Sequence, residues 1–376
     1  MSVGVGARSA RLLRCGTGFV RPARHARSFP VVKRPMFKPT SSLWADAPKQ
    51  NELPATRTPP KQIDNVEDFL ALTERGKATL SDANRFLWRK RQRIAPLPLP
   101  ERREKAARVG AGRILLWIWN HRETFPLAEI GDSFAKIMVW FLYAEGLEEF
   151  IWDWIILEVQ DRQSQDTVER DRLQDCYDLE WCSGFLSGLV AAAASWSSDG
   201  SLNGAVLRLL RAVEQFGLQS HYPNTINLEA ASFYVVRKVK HSRGHTCDPV
   251  LFERLMAEVH NWQSDHSQRM LARATFLLYH PTEADGNPWF DVVHDVYDGE
   301  NCLDQDPATG KKNFRDYWAR NTLRAAYILS IKGNESKVAY LEKISQKHFP
   351  TAWAARDESL VGFREDIRLQ RLMRNL

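Results

Sequence analysis

Two groups of side chains have types and spacing that could do chemistry. One is a basic run headed by an aromatic, Trp88-Arg89-Lys90-Arg91-Gln92-Arg93; the other is a compact set of His241, His245 and Cys247. Arginine forks grip phosphate oxygens and an indole face stacks on a base, so the first pattern predicts a contact to RNA whose strength falls steeply with salt. The same run can instead line a solvated helix face, or pair with acids elsewhere in the chain. In the second group, histidines four apart at a helix end can present two nitrogens to one cation, with Cys176, Cys182 or His221 as a further ligand. Arg237, Lys238, Lys240 and Arg243 surround that set, and their positive field disfavours a dication. No metal site is therefore predicted, and the basic helix end faces phosphate, an acidic partner or solvent.

Other chemistry is excluded motif by motif. Gly310-Lys311-Lys312 lacks a phosphate-loop glycine five positions earlier, where Gln305 stands, and lacks the following Ser or Thr; Gly110-Ala111-Gly112 lacks the third dinucleotide-loop glycine. A nucleophile elbow and a zinc-protease helix are both absent. A calcium-loop register started at Asp304 puts Thr309 where glycine is required and Arg315 where the bidentate Glu belongs. Asp291, His294 and Asp295 share one helical segment, but that spacing also describes any polar helix face. The expectation is a chain with neither catalysis nor cofactor.

Charge is divided unevenly along the chain. Residues 75–113 hold twelve Lys or Arg against three acids, a local net of +9, and Arg102, Arg103 and Lys105 extend the basic run beyond Arg93. Residues 145–180 hold twelve acids against three bases, a net of −9. Such a division orients encounter with a charged partner. The whole-chain charge of +6 says less, because residues 1–45 contribute nine Lys or Arg and no acid, leaving −3 for the remainder.

The elements that must position these residues are helical. The 376 residues are 44% apolar and 26% charged, a composition of folded chains, and no segment shows sustained period-two alternation. Asp64 can cap a helix carrying Val66, Phe69 and Leu70; Ser81 or Asp82 opens a second through Ile94; Pro96, Pro98 and Pro100 predict an extended connector. Beyond Glu101, paired helical runs flank Glu145-Gly146, Asp199-Gly200, Arg243-Gly244, Asp285-Gly286 and Gly333-Asn334, where a left-handed glycine or asparagine would stop each first helix. The glycines at 146, 200, 244, 286 and 333 stand 54, 44, 42 and 47 residues apart. The predicted fold is all-α, an irregular α-solenoid-like array of helical hairpins behind a disordered basic leader. One multi-helix globule is the rival architecture.

Small residues Gly184 and Gly188, followed by Ala191 to Ala194, predict a helix approached closely by a neighbour. Most of the thirteen tryptophans, among them Trp117, Trp140, Trp152, Trp154, Trp181 and Trp196, read as packing residues rather than base platforms. The apolar stretches 137–144 and 185–196 are well short of the roughly 18 residues that span a bilayer, so no transmembrane segment is predicted.

Ala326 and Tyr327, the turn Lys332-Gly333-Asn334, the apolar row Val338, Ala339, Leu341 and Ile344, and Pro350 resemble a tetratricopeptide-type repeat, most clearly over residues 321–350. The stretch 141–150 is similar to the hairpin junction of pentatricopeptide repeats. The longer and irregular period departs from the family's 34 or 35 residues, so a base-by-base RNA code is not carried over.

Arg8, Arg11 and Arg14 at three-residue spacing, in a stretch free of acids until Asp46, predict a mitochondrial transit peptide, with processing near Arg27-Ser28-Phe29. A basic tail that itself binds nucleic acid is the other reading of these residues. The four cysteines beyond the leader form no CxxC pair, which points to reduced thiols. The expected organisation is a leader over 1–45, a linker over 46–62, a basic helical region over 63–113 and a hairpin domain over 114–376. The expected role is that of a non-catalytic matrix protein contacting mitochondrial RNA or the mitoribosome. The rival role is an assembly or scaffold factor for an inner-membrane respiratory complex, acting through protein contacts.

Overall fold

The computed structural model describes residues 63–122, 130–164, 179–217, 226–241, 247–262, 266–298, 307–308, 312–358 and 361–365. The leader and linker readings fall outside these residues. The described chain holds sixteen helices and no strand: α1 (Val66–Glu74), α2 (Leu80–Ile94), α3 (Leu99–Ala107), α4 (Ala111–Asn120), α5 (Asp132–Glu145), α6 (Glu148–Ser164), α7 (Glu180–Ser195), α8 (Asn203–Phe216), α9 (Glu229–His241), α10 (Pro249–Ala257), α11 (Val259–Trp262), α12 (His266–Leu278), α13 (Asn287–Tyr297), α14 (Lys312–Ile331), α15 (Glu335–His348) and α16 (Pro350–Ala354). The all-α class is as the periodicity requires.

Helix ends follow local chemistry. α2 starts one residue before Ser81 because Thr79 and Asp82 form a reciprocal cap, the Asp82 amide donating to Thr79 Oγ1 at 3.1 Å and the Thr79 amide to Asp82 Oδ2 at 3.3 Å. α5 ends where Gly146 takes a φ of 72°, with the Leu147 amide reaching back to the Leu142 carbonyl at 2.8 Å. Gly333 ends α14 in the same manner, the Asn334 amide donating to Leu329 O at 3.0 Å.

Three expectations need correction. The proline connector is short: Pro98, with φ −53° and ψ 146°, is the cap of α3, and Pro100 lies in that helix's first turn, where its missing N–H costs nothing. Gly286 has a φ of −91° and precedes α13 rather than closing α12; it is glycine because a Cβ there would lie 2.8 Å from the Ala325 carbonyl. The run 249–262 breaks at Glu258 into α10 and α11.

Extensive packing joins helices no more than three apart in chain order, including α5 with α7, α7 with α8 and α9, α9 with α12, and α14 with α15. The basic region is part of this packing, since α2, α3 and α4 all lie against α5. The tightest approach is α5 on α7. A Cβ on Gly184 would sit 3.2 Å from Asp132 Cα and one on Gly188 3.2 Å from Lys136 Cα, so the small residues are what let the two backbones meet. Trp152, Trp181, Trp196, Trp289 and Trp318 are fully buried within one continuous apolar cluster. No helix of the described residues is long and apolar enough to cross a membrane.

Candidate functional site

The basic run occupies α2, and the helix sorts its residues by face. Leu80, Ala83, Phe86, Leu87 and Ile94 are buried against the core, which turns Arg85, Trp88, Gln92 and Arg93 to solvent and leaves Arg89, Lys90 and Arg91 half-buried on the flanks. Trp88 is 50% exposed, although an indole of that size is usually covered. The Lys90 ammonium lies 5.7 Å from the Phe86 ring centroid.

Tertiary structure adds a part of the site that local spacing does not contain. Trp140 from α5 and Trp196 from the end of α7 pack with ring centroids 4.5 Å apart, and the Trp196 indole N–H donates to the Trp140 carbonyl at 2.9 Å. Three arginines converge on this pair. The Arg91 guanidinium of α2 lies 5.7 Å from the Trp140 ring centroid, the Arg102 guanidinium of α3 lies 5.6 Å from that of Trp196, and Arg103 of α3 donates to the Trp196 carbonyl at 2.9 Å. The last contact places a cation at a helix C-terminus, the favourable end.

The seam also reaches α9. Tyr234 sits beside the last turn of α7, its hydroxyl 3.5 Å from the Ala191 carbonyl. Burial pushes the Tyr234 phenol up, while the Ser195 hydroxyl and the positive charges of Arg237 and Arg91 oppose the shift. Burial likewise pushes the Arg91 guanidinium down, with Tyr234 opposing. The fold thus brings Arg91 and Arg237, from basic segments some 140 residues apart in the chain, to the surroundings of Tyr234.

Several other cations in the described chain are paired with carboxylates. Lys105 pairs with Glu101 at 2.7 Å, Arg108 with Glu104 at 2.7 Å, Arg113 with Glu67, Arg208 with Glu148 at 3.5 Å, Arg211 with Glu149 at 2.7 Å and Arg254 with Glu214. Among the described residues no carboxylate pairs with Arg91, Arg102 or Arg103, and the buried Nε of Arg102 has no hydrogen-bond partner. Arg91 and Arg102 are half-buried and Arg103 is exposed; a half-buried guanidinium without counter-charge carries a desolvation cost that an anionic ligand would offset. The acids nearest in chain order, Glu101 and Glu104, pair with Lys105 and Arg108, and the Glu145 carboxylate caps α4, accepting from the Ala111 and Gly112 amides at 2.6 and 2.8 Å.

Of the remaining candidates, Arg237 and Lys238 are exposed on α9, with Lys238 5.7 Å from the Tyr234 ring centroid. The side chains of Lys240 and His241, and residues Arg243 and His245, lie outside the described residues. Cys247 is buried, and burial together with Asp248 pushes its thiol up to about 12, so it stays protonated at neutral pH. The described residues contain no group of three His, Cys, Asp or Glu that could hold a metal ion. Sequence reasoning does not single out Trp140, Trp196 and Tyr234 as site residues, because each reads locally as an apolar packing position. Comparison of the chain with protein-family models, with curated proteins and with solved structures finds no match.

Proposed function

We propose that this chain is a non-catalytic, mitochondrial-matrix, helical-hairpin protein of the solenoid type that acts in organellar gene expression by binding RNA, on a transcript or at the mitoribosome. The observation that carries the reading is the convergence of Arg91, Arg102 and Arg103 on Trp140 and Trp196 with no carboxylate among the described residues, and an exposed Trp88 one turn from Arg91. Arginine forks take phosphate oxygens in pairs, and an accessible indole accepts a base. The mitochondrial address rests on the acid-free, arginine-rich composition of residues 1–45. The hairpin array rests on packing confined to near neighbours in chain order.

The test is RNA binding by the full chain across a salt series, with the charge-neutral variant of Arg91, Arg102 and Arg103 measured beside it. Because the leader is common to both proteins, its own attraction for RNA cancels in the difference. The reading expects the logarithmic salt dependence to flatten by about 0.7 for each single-strand phosphate that the variant no longer neutralises. Parallel salt curves for the two proteins would refute it.

A second reading has its own observation. Phe150 and Leu157 of α6 and Leu207 of α8 are exposed on two helices joined by the Glu148–Arg208 and Glu149–Arg211 pairs, an apolar edge suited to a protein partner in complex assembly. Function retained with the seam arginines neutralised, and abolished by Phe150→Ser, would favour it.

A further inference from the structure

The exposed indole of Trp88 and the half-buried guanidinium of Arg91 are one turn apart on the same helix. Trp88 and Arg91 are three residues apart on α2, so their side chains are neighbours on its surface. Trp88 presents its ring to solvent. Arg91 and Arg102 are half-buried and lie back against the Trp140 and Trp196 rings. Arg103 uses one N–H on the Trp196 carbonyl, and no other hydrogen bond of these three guanidiniums is made among the described residues. An aromatic shelf thus stands one turn from Arg91, whose guanidinium shares the seam with those of Arg102 and Arg103.

We infer that the ligand of this site is single-stranded RNA, held as an unpaired nucleotide whose base stacks on Trp88 and whose adjoining phosphate enters the fork of Arg91, Arg102 and Arg103. This deepens the RNA-binding reading and rests on it. A duplex does not fit the arrangement. Its bases are stacked on one another and offer no free face to an indole, and its stiff phosphate rows cannot dip to donors that lie behind the outer stripe of α2. A single strand splays a base outward and turns its backbone inward within one nucleotide. Sequence preference is weak in this scheme, because every base has a face to stack and no base edge meets a described side chain of the seam. Arginine rather than lysine suits the inner position, because the planar fork both packs on an indole and takes two phosphate oxygens. On α9, the exposed Lys238, 5.7 Å from the Tyr234 ring centroid, offers the next phosphate a contact.

The experiment uses the full chain with fluorescently labelled oligouridylate and a labelled RNA duplex of equal length, by anisotropy in a salt series. The inference expects the single strand to bind at least about tenfold tighter than the duplex. Trp88→Ala is expected to weaken the single strand by about 10- to 100-fold with its salt slope unchanged, and Trp88→Phe to restore most of that affinity. Arg91→Gln and Arg102→Gln are expected to flatten the slope instead. Trp88 is exposed, so its variant reads binding without a folding defect, whereas the arginine variants need a matched melting curve. Equal affinity for strand and duplex, or a Trp88→Ala protein that binds as tightly as the parent, overturns the inference while leaving RNA binding standing. Failure to bind either probe overturns the RNA-binding reading as well. Displacement of the strand by polyglutamate as readily as by unlabelled RNA also overturns it, and assigns the seam to an acidic protein.

Discussion

Among the places where an arginine lies on a tryptophan, two that sit between packed helices differ in one ingredient. Along the α6/α8 edge the Arg211 guanidinium lies 4.4 Å from the Trp152 ring centroid and also pairs with Glu149 at 2.7 Å, while Arg208 pairs with Glu148. In the α2/α3/α7 seam Arg91 and Arg102 lie on Trp140 and Trp196 with no carboxylate partner among the described residues. The edge closes its own electrostatics, so its arginines act as a clamp between two helices. Among the described residues the seam does not, and the stacking that positions its guanidiniums leaves donors that no described carboxylate takes. On the proposed reading, an arginine on an aromatic serves as a binding group or a structural one according to whether an acid completes it.

The strongest way to break the comparison is to remove the platform. Trp196→Ala deletes a fully buried indole and its hydrogen bond to Trp140, and is expected to cost about 3–5 kcal/mol in chemical denaturation, taking the seam's geometry with it. Next in size, Gly188→Val forces a side chain against Val139 and Lys136 and is expected to cost about 1–3 kcal/mol by the same measurement, because α5 and α7 must part. A destabilisation below a few tenths of a kcal/mol in either case would show that the close approach is not a constraint.

The edge supplies the converse. Glu149→Gln removes the partner of Arg211 at an exposed pair, and the expected stability change is below about 1 kcal/mol. RNA affinity should rise if an uncompleted arginine on a tryptophan suffices for binding, and stay unchanged if Trp88 is also required; anisotropy separates the two.

The smallest effects concern the turn that carries Trp196 into α8 and the thiol beyond it. Asp199 accepts from the Ser197 hydroxyl and from the Ser201 amide at 2.9 Å, and these bonds hold its carboxyl down at about 2 from an ordinary 3.8. A depressed carboxyl contributes stability that is fully present above about pH 4 and is lost as pH falls through about 2. Asp199→Asn is therefore expected to remove a shallow decline in melting temperature over that window and to change nothing at neutral pH. Cys247, with its thiol pushed up to about 12, is expected to resist alkylation in the native protein under mildly alkaline conditions and to react after denaturation; prompt native labelling would contradict its burial.

Much of the helical layout is legible in the chain for local reasons. The glycines at 146 and 333 stop helices because their left-handed φ is a single-residue property, and the buried face of α2 follows from spacing alone. The role of Gly286 is not legible, because the reason for it is not local: it makes room for the Ala325 carbonyl of α14, far along the chain. The proline connector reads as longer than it is because Pro100 satisfies two rules at once, and only the packing of α3 on α5 decides that a helix begins there. The outer half of the site, Trp88 with Arg89, Lys90 and Arg93, is visible as a run.

The class of the fold, the helix faces and the density of positive charge over residues 75–113 follow from the order of residues, since each depends on neighbours a few positions away. Which of those charges are completed follows from packing alone. The acids of residues 148 and 149 go to Arg208 and Arg211 on α8, Glu145 goes to the amides of α4, and Arg91, Arg102 and Arg103 are left on two indoles that local spacing marks only as core. Pairing of charges requires contact in space, and the helices that make those contacts meet only when the chain packs.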